Sequence, residues 1–250
     1  MTLRLETDGK VARLLIDRAD KRNAMNQAMW DALPELVAQA MANPVVRALV
    51  LKSATPGMFC AGADIGELSA NADNSDWLAA NQAAINRAQY ELTRATKPTV
   101  ALIDGDCVGG GCGLALACDL RVASARSRFG ITPAKLGLVY PLHDTKLLID
   151  LVGPANAKRI LFTGQLIDAA EALRIGLVNE IAENADTLID AMASVSSHSQ
   201  RESKAMIRRI LDGQVTDDDT TRALFAAAFR GSDFKEGVDA FLTKRKPDFQ

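Results

Sequence analysis

Three consecutive glycines, Gly109, Gly110 and Gly111, sit in the stretch CVGGGCGLALACD (residues 107–119), between a strand-like run and an Ala/Leu-rich, helix-like run. Glycine lets the backbone turn sharply and bring a bare N–H close to a ligand, with no Cβ in the way. A helix beginning just after the turn adds unpaired N–H groups and the positive end of its dipole. That arrangement suits an oxygen that becomes negative during a reaction, an oxyanion hole. A triple glycine is equally what a tight strand–helix turn packed against a neighbour requires. Upstream, MFCAGADIGEL (58–68) repeats the pattern: the apolar run RALVLKSA leads through small residues toward a second helix-like segment.

The elements that must hold these turns alternate between strand and helix. Residues 11–16, 47–51, 99–103 and 120–123 are short β-branched or Leu-rich runs. Between the first two, Met25, Met29, Leu33, Leu36, Val37 and Ala40 fall at helical spacing, with Asn26 as the cap. Pro34 costs ~3 kcal/mol in a helix interior and predicts a kink or a separate first turn. Residues 69–76, SANADNSD, read as a mobile polar loop. The helix after it has Trp77, Leu78, Ile85 and Leu92 on its apolar side and ends at Lys97-Pro98. Asp144 reads as the cap of a helix over 145–151. Pro154 suits the first turn of a helix reaching about Phe162. Asp168 and Glu171 form a capping box for the next one, which Gly176 closes. Beyond, strand signals fade, and Met192, Met206, Ile207, Ile210, Leu224, Phe225, Phe229 and Phe241 mark helices. The fold class is α/β, with a core over 1–190 and a helical region over 191–250.

The chain has 250 residues, 48% of them hydrophobic, and a formal net charge of −2. Near-neutrality with scattered basic residues excludes a nucleic-acid or membrane-surface partner, and no apolar run reaches membrane-spanning length. Cys60, Cys107, Cys112 and Cys118 lie in apolar or glycine-rich surroundings without metal-ligand spacing, and His143 and His198 form no cluster. Buried reduced thiols, no metal and a cytoplasmic protein are expected.

The two glycine-bearing stretches occur in order with RADKRNAMNQAMWDAL (18–33), KPTVALIDGDCVGGGCGLALACDLRVAS, FGITPAKLGL, LFTGQLIDAAEALRIGLVNEI and EGVDAFLTKRKPDF. In this the chain resembles the crotonase (enoyl-CoA hydratase/isomerase) superfamily over nearly its whole length. The resemblance implies a ββα spiral core, a C-terminal helical trimerisation region, and a homotrimer or dimer of trimers. It implies an acyl-CoA thioester as partner, in fatty acid metabolism, with no cofactor beyond the coenzyme A of the substrate. The oxyanion hole would be the backbone N–H groups of Ala63 and Gly110. Ala61, Asp64, Ile65 and Gly109 would border the thioester, and Arg18, Lys21 and Arg22 would lie by the CoA phosphates, where charge and multiple donors are apt. Lys244, Arg245 and Lys246 are a further phosphate contact or a solvated chain end. Phe229 and Phe234 are interface, cavity or core residues.

The chain departs from the hydratase pattern at its acids. The glutamate after the GGGC turn is replaced by Gly113, and the glutamate of the F-G-x-P-E sequence by Pro133. General acid–base catalysis contributes about 10²–10⁴-fold per group, roughly 3–5 kcal/mol, so ordinary hydration is not expected. What remains is acyl-CoA binding with stabilisation of an enolate or oxyanion, as a lyase or isomerase. A decarboxylase, a thioesterase and a non-catalytic acyl-CoA-binding protein are the alternatives. Tyr140, in a TPAKLGLVY segment similar to the methylmalonyl-CoA decarboxylase branch, is a candidate acid or an ordinary core aromatic. That branch carries a histidine where this chain has Ala63. His143 and Asp144 are further candidates, beside plainer readings as a solvated loop residue and a helix cap. Asp64 and Glu67 favour a helix dipole, which accounts for them without chemistry; Glu67 is the third candidate for a direct role.

Overall fold

In the computed structural model, which describes residues 2–249, the elements run in the following order. The first are β1 (Leu3–Asp8), β2 (Val11–Ile16), α1 (Gln27–Ala42), β3 (Ala48–Ser53), β4 (Met58–Cys60), α2 (Ile65–Ala70) and α3 (Ser75–Thr93). Then come β5 (Thr99–Ile103), β6 (Asp106–Val108), α4 (Gly110–Ala117), β7 (Leu120–Ala123), β8 (Arg128–Gly130) and α5 (Leu142–Thr163). The remainder are β9 (Ile167–Asp168), α6 (Ala169–Arg174), β10 (Glu180–Ile181), α7 (Asp186–Ala193), α8 (Ser197–Leu211), α9 (Asp219–Ala228) and α10 (Ser232–Leu242).

Strands alternate between two sheets. One has the order β1-β2-β3-β5-β7-β10 and the other β4-β6-β8-β9. Each repeat gives one strand to the first sheet, one to the second, then a helical part: β3–β4 with α2 and α3, β5–β6–α4, and β7–β8–α5. This is the ββα spiral. The continuously apolar β3 is buried nearly throughout, as a central parallel strand covered on both faces must be.

Several local readings shift in the three-dimensional context. α1 runs unbroken through Pro34, with Met29, Trp30, Leu33, Pro34, Val37 and Ala40 buried; packing of that face outweighs the lost backbone bond. The polar stretch 69–76 is not one loop: only residues 71–74 separate α2 from α3. Its asparagines serve as caps, Asn71 Nδ2 donating to Glu67 O at 2.9 Å and Asn74 Oδ1 accepting from Trp77 N at 3.0 Å. The face that α3 buries carries Asn81, Ala84, Ala88, Gln89, Leu92 and Thr93, whereas Leu78 is exposed. α5 breaks at Gly153, where φ is 71°, and Pro154 opens its second half. Asp168 caps α6 through Glu171 N, but the Glu171 carboxylate pairs with Arg159 and Arg174 instead of completing a capping box.

The chain divides into two compact units, one formed by the residues up to Ala95 with Thr99–Ala185, the other by Thr96–Pro98 with the residues from Asp186 on. Both sheets lie in the first unit. In the second, Phe225, Phe229 and Phe234 meet edge to face and line an apolar cavity of about 540 Å³, so neither Phe229 nor Phe234 is a core residue. Arg245 is committed to Glu236 and Asp239. Among the described residues all four cysteines are buried free thiols, no group of side chains could hold a metal ion, and no helix is long and apolar enough to cross a membrane.

Candidate active site

β4, β6 and β8 are parallel neighbours, with Cys60 beside Cys107 and Val108 beside Gly130. Their C-terminal ends therefore deliver AGAD, GGG and FGITP to one edge of the second sheet, the end at which open parallel sheets place ligands. Gly109 N donates to Gly130 O at 2.8 Å, which ties two of these turns together.

Within the GGG turn the glycines have different tasks. Gly109 has φ 53°, ψ −116° and caps α4, a conformation that side chains disfavour. A Cβ at Gly111 would stand 2.5 Å from Cys60 O, so only glycine lets α4 come this close to β4. Gly110 is the first residue of α4, and a Cβ there would lie 3.5 Å from Ala63 N and 3.3 Å from the Trp30 ring. The Ala63 and Gly110 amides are thus neighbours. Among the described residues neither N–H donates to a backbone acceptor outside the regular elements, although Gly62 O, on one side of Ala63, and Asp64 N, on the other, both bond to Met25.

The RADKR segment is laced to the same turn: Ala61 N donates to Arg22 O at 3.0 Å. Arg18 is bound to Asp64 Oδ2 at 2.8 Å and to Ala24 O at 2.9 Å, which holds the Asp64 carboxyl below its usual range. Asp64 itself caps α2, accepting from Gly66 N and Glu67 N. Glu67 Oε2 accepts from Gln27 N at 2.8 Å, the first amide of α1. Arg22 pairs with Asp106 at 3.1 Å yet stays largely exposed, and Lys21 lies on an exposed turn. Ile65 is half exposed beside them.

Opposite, α5 begins at Leu142 with Pro141 as its cap, so Asp144 is not the cap that local sequence suggests. Its side chain turns inward, 1% exposed, and its Oδ2 accepts from Gln89 Nε2 at 3.2 Å. A Cβ built at Gly113 would overlap Gln89 Nε2 and lie 3.2 Å from Asp144 Oδ2. The room that a side chain at position 113 would fill is taken by the Gln89–Asp144 pair. Burial pushes the Asp144 carboxyl up to about 7, with Gln89 acting in the opposite sense. Among the described residues Asp144 Oδ1 has no hydrogen-bond partner. Tyr140 is buried, and its hydroxyl donates to Gly109 O at 3.4 Å. Burial, and then the nearby Asp144 carboxylate, hold its phenol neutral. His143 is half-buried in the first turn of α5, and Pro133 starts a short 3-10 turn after β8.

The structure therefore gathers Ala63, Gly109, Gly110, Tyr140 and Asp144 around the start of α4. Sequence reasoning passed over Gln89. An amide set between Ala88 and Leu92, on a helix face that also buries Asn81 and Thr93, was the available signal.

Comparison with known proteins agrees with this architecture. The family model for enoyl-CoA hydratase/isomerase matches residues 6–250. A crotonyl-CoA hydratase of Syntrophomonas wolfei is 34% identical over 256 residues, spanning 98% of this chain and 96% of that protein. A short-chain-enoyl-CoA hydratase of Clostridium acetobutylicum is also 34% identical, with 97% and 95% covered. Among solved structures, one from Hyphomonas neptunium, assigned to the enoyl-CoA hydratase/isomerase family, superposes with a TM-score of 0.96 at 39% identity, covering 100% of this chain and 98% of that one. The chain belongs to the enoyl-CoA hydratase/isomerase family and has the crotonase fold.

Proposed function

We propose that the protein binds an acyl-CoA thioester, polarises its carbonyl between the Ala63 and Gly110 N–H groups, and shifts a double bond by proton transfer through Asp144. The observation that carries this reading is the position of the Asp144 carboxyl, 3.2 Å from where a Cβ of Gly113 would be. The carboxyl absent from α4 is supplied from α5. One such group, with its midpoint near neutrality, can take a proton and return it. Hydration asks for more, because a water must be held and split across the double bond.

In the proposed step the Asp144 carboxylate takes a C2 proton from a 3-enoyl thioester. The electron pair moves onto the thioester oxygen, where each N–H donor is worth about 3–4 kcal/mol. The protonated Asp144 then delivers the proton to C4, leaving the double bond at C2–C3. Atoms and charge balance without oxidant, water or any cofactor beyond the coenzyme A of the substrate. Lys21 and the exposed part of Arg22 are suited to its phosphates. We further propose that the chain assembles as a homotrimer or a dimer of trimers.

The test is incubation of the purified protein with 2-enoyl, 3-enoyl, malonyl-type and saturated acyl-CoAs, followed by mass and chromatographic analysis. A shifted double bond is expected, with Asp144→Asn reducing kcat by about 10²–10⁴-fold. Activity rises with pH through a midpoint near 7, because the carboxylate acts first. Loss of CO₂ with activity falling through the same midpoint would select decarboxylation, in which protonated Asp144 quenches the enolate. Added water or free CoA would replace isomerisation by hydration or hydrolysis. Esters retained unchanged would leave a binding protein.

A further inference from the structure

Asp144 does not stand alone in its burial. Gln89 comes from α3, is fully buried, and gives Asp144 its side-chain hydrogen bond across the room that Gly113 leaves on α4. Any larger residue at position 113 would push into the amide first. Gly113 and Gln89 are therefore complementary: the missing side chain on one helix is the space occupied by the amide of another.

The groups facing Asp144 are few. Tyr140, on the segment before α5, is buried and neutral, and the thiols of Cys112 on α4 and Cys107 on β6 lie around that phenol. His143 precedes Asp144 in the chain. The causes acting on the Asp144 carboxyl are its burial and, in the opposite sense, the hydrogen bond from Gln89. Among the described residues Gln89 gives the carboxyl its side-chain hydrogen bond, to Oδ2, while Oδ1 is buried without a hydrogen-bond partner. A donor on one carboxylate oxygen fixes the rotation of the group and favours its ionised form.

We propose that Gln89 is a positioning residue: its amide, seated where Gly113 has no side chain, clamps Asp144 Oδ2 and leaves Oδ1 as the oxygen that exchanges a proton with the substrate. The identity of the exchanging oxygen rests on the reaction proposed above; the clamp itself does not.

Gln89→Leu keeps the volume and removes the donor, and Gln89→Met repeats the removal with a more adaptable side chain should leucine pack badly. The readout is the carboxyl carbon resonance of Asp144, followed by NMR against pH in the substrate-free protein and assigned by its absence in Asp144→Asn. In either variant the midpoint is expected to move up by about one unit from its native value. The acid limb of kcat/KM should move with it, while KM for the thioester changes little. A midpoint that stays in place, or moves down, in a folded variant overturns the proposal. A midpoint that moves while Asp144→Asn retains full turnover leaves the clamp standing and removes the reaction assigned to Asp144.

Discussion

Asp144, the residue proposed above to transfer the proton, is buried at the expense of the fold. Its carboxyl has an ordinary value of 3.8 and is raised to about 7 by burial. Between those values the folded protein holds a proton that the unfolded chain has released. Stability attributable to Asp144 is therefore full below pH 4 and declines as pH rises toward 7, the reverse of a salt-bridged carboxylate. The difference corresponds to up to about 4 kcal/mol above that window. Asp144→Asn, which cannot ionise, should stabilise the protein at pH 8 while leaving it nearly unchanged at pH 4. Urea midpoints at the two pH values measure this, and an equal change at both would show that the native carboxyl titrates normally. The sequence made Asp144 a site candidate but described it better as a cap over 145–151. Capping is a local rule, and what defeats it is distant: Pro141 already starts the helix, and Gln89 waits 55 positions earlier in the chain.

α4 is an element held at both ends. Its N-terminal turn carries the neighbouring amides, and its close approach to β4 depends on Gly111. At the other end the buried Arg121 donates to Cys118 O at 2.8 Å, to Ala115 O at 3.4 Å and, from Nε, to Leu177 O at 2.7 Å. A cation against the last carbonyls of a helix is favourably placed, and here it satisfies groups that the helix leaves open. The helix can thus present its first N–H groups without drifting. Gly110 is the first helical residue, a position where proline is tolerated. Gly110→Pro should therefore keep the fold, as far-UV circular dichroism would report, yet lose about 10²–10³-fold in kcat by deleting one donor. A folded, fully active variant would refute Gly110 as a donor. The glycine run itself was legible, because few uses need three in a row. The reason Gly111 must be glycine was not, because the Cys60 carbonyl that it faces comes from a different turn of the spiral.

Across the whole molecule, legibility follows the range of the interactions. β2, β5 and β7 were read to the residue, since their apolar runs are bounded by turn formers. The strand expected at 47–51 starts one residue later and ends two later, at Ala48–Ser53, and β4, β6 and β8 are three residues each, too short for periodicity to reveal. Those short strands set the register that aligns the motifs, so the motifs are legible in the sequence and the geometry that brings them together is not. The C-terminal stretch reads as helices and forms α7 to α10, but whether their apolar faces turn inward is a property of packing. Phe225 and Phe241 remain 70% and 83% exposed beside the apolar cavity of about 540 Å³. Exposed aromatics gathered in this way are one signature of a protein–protein contact, in line with the self-assembly proposed above. Replacing both, as Phe225→Glu with Phe241→Glu, introduces charges that an apolar contact would have to desolvate. Sedimentation should then show native assemblies of three or six chains falling apart to monomers, with the secondary structure of each chain retained. A native protein that sediments as a monomer at micromolar concentration would leave those phenylalanines without the partner surface that their exposure implies.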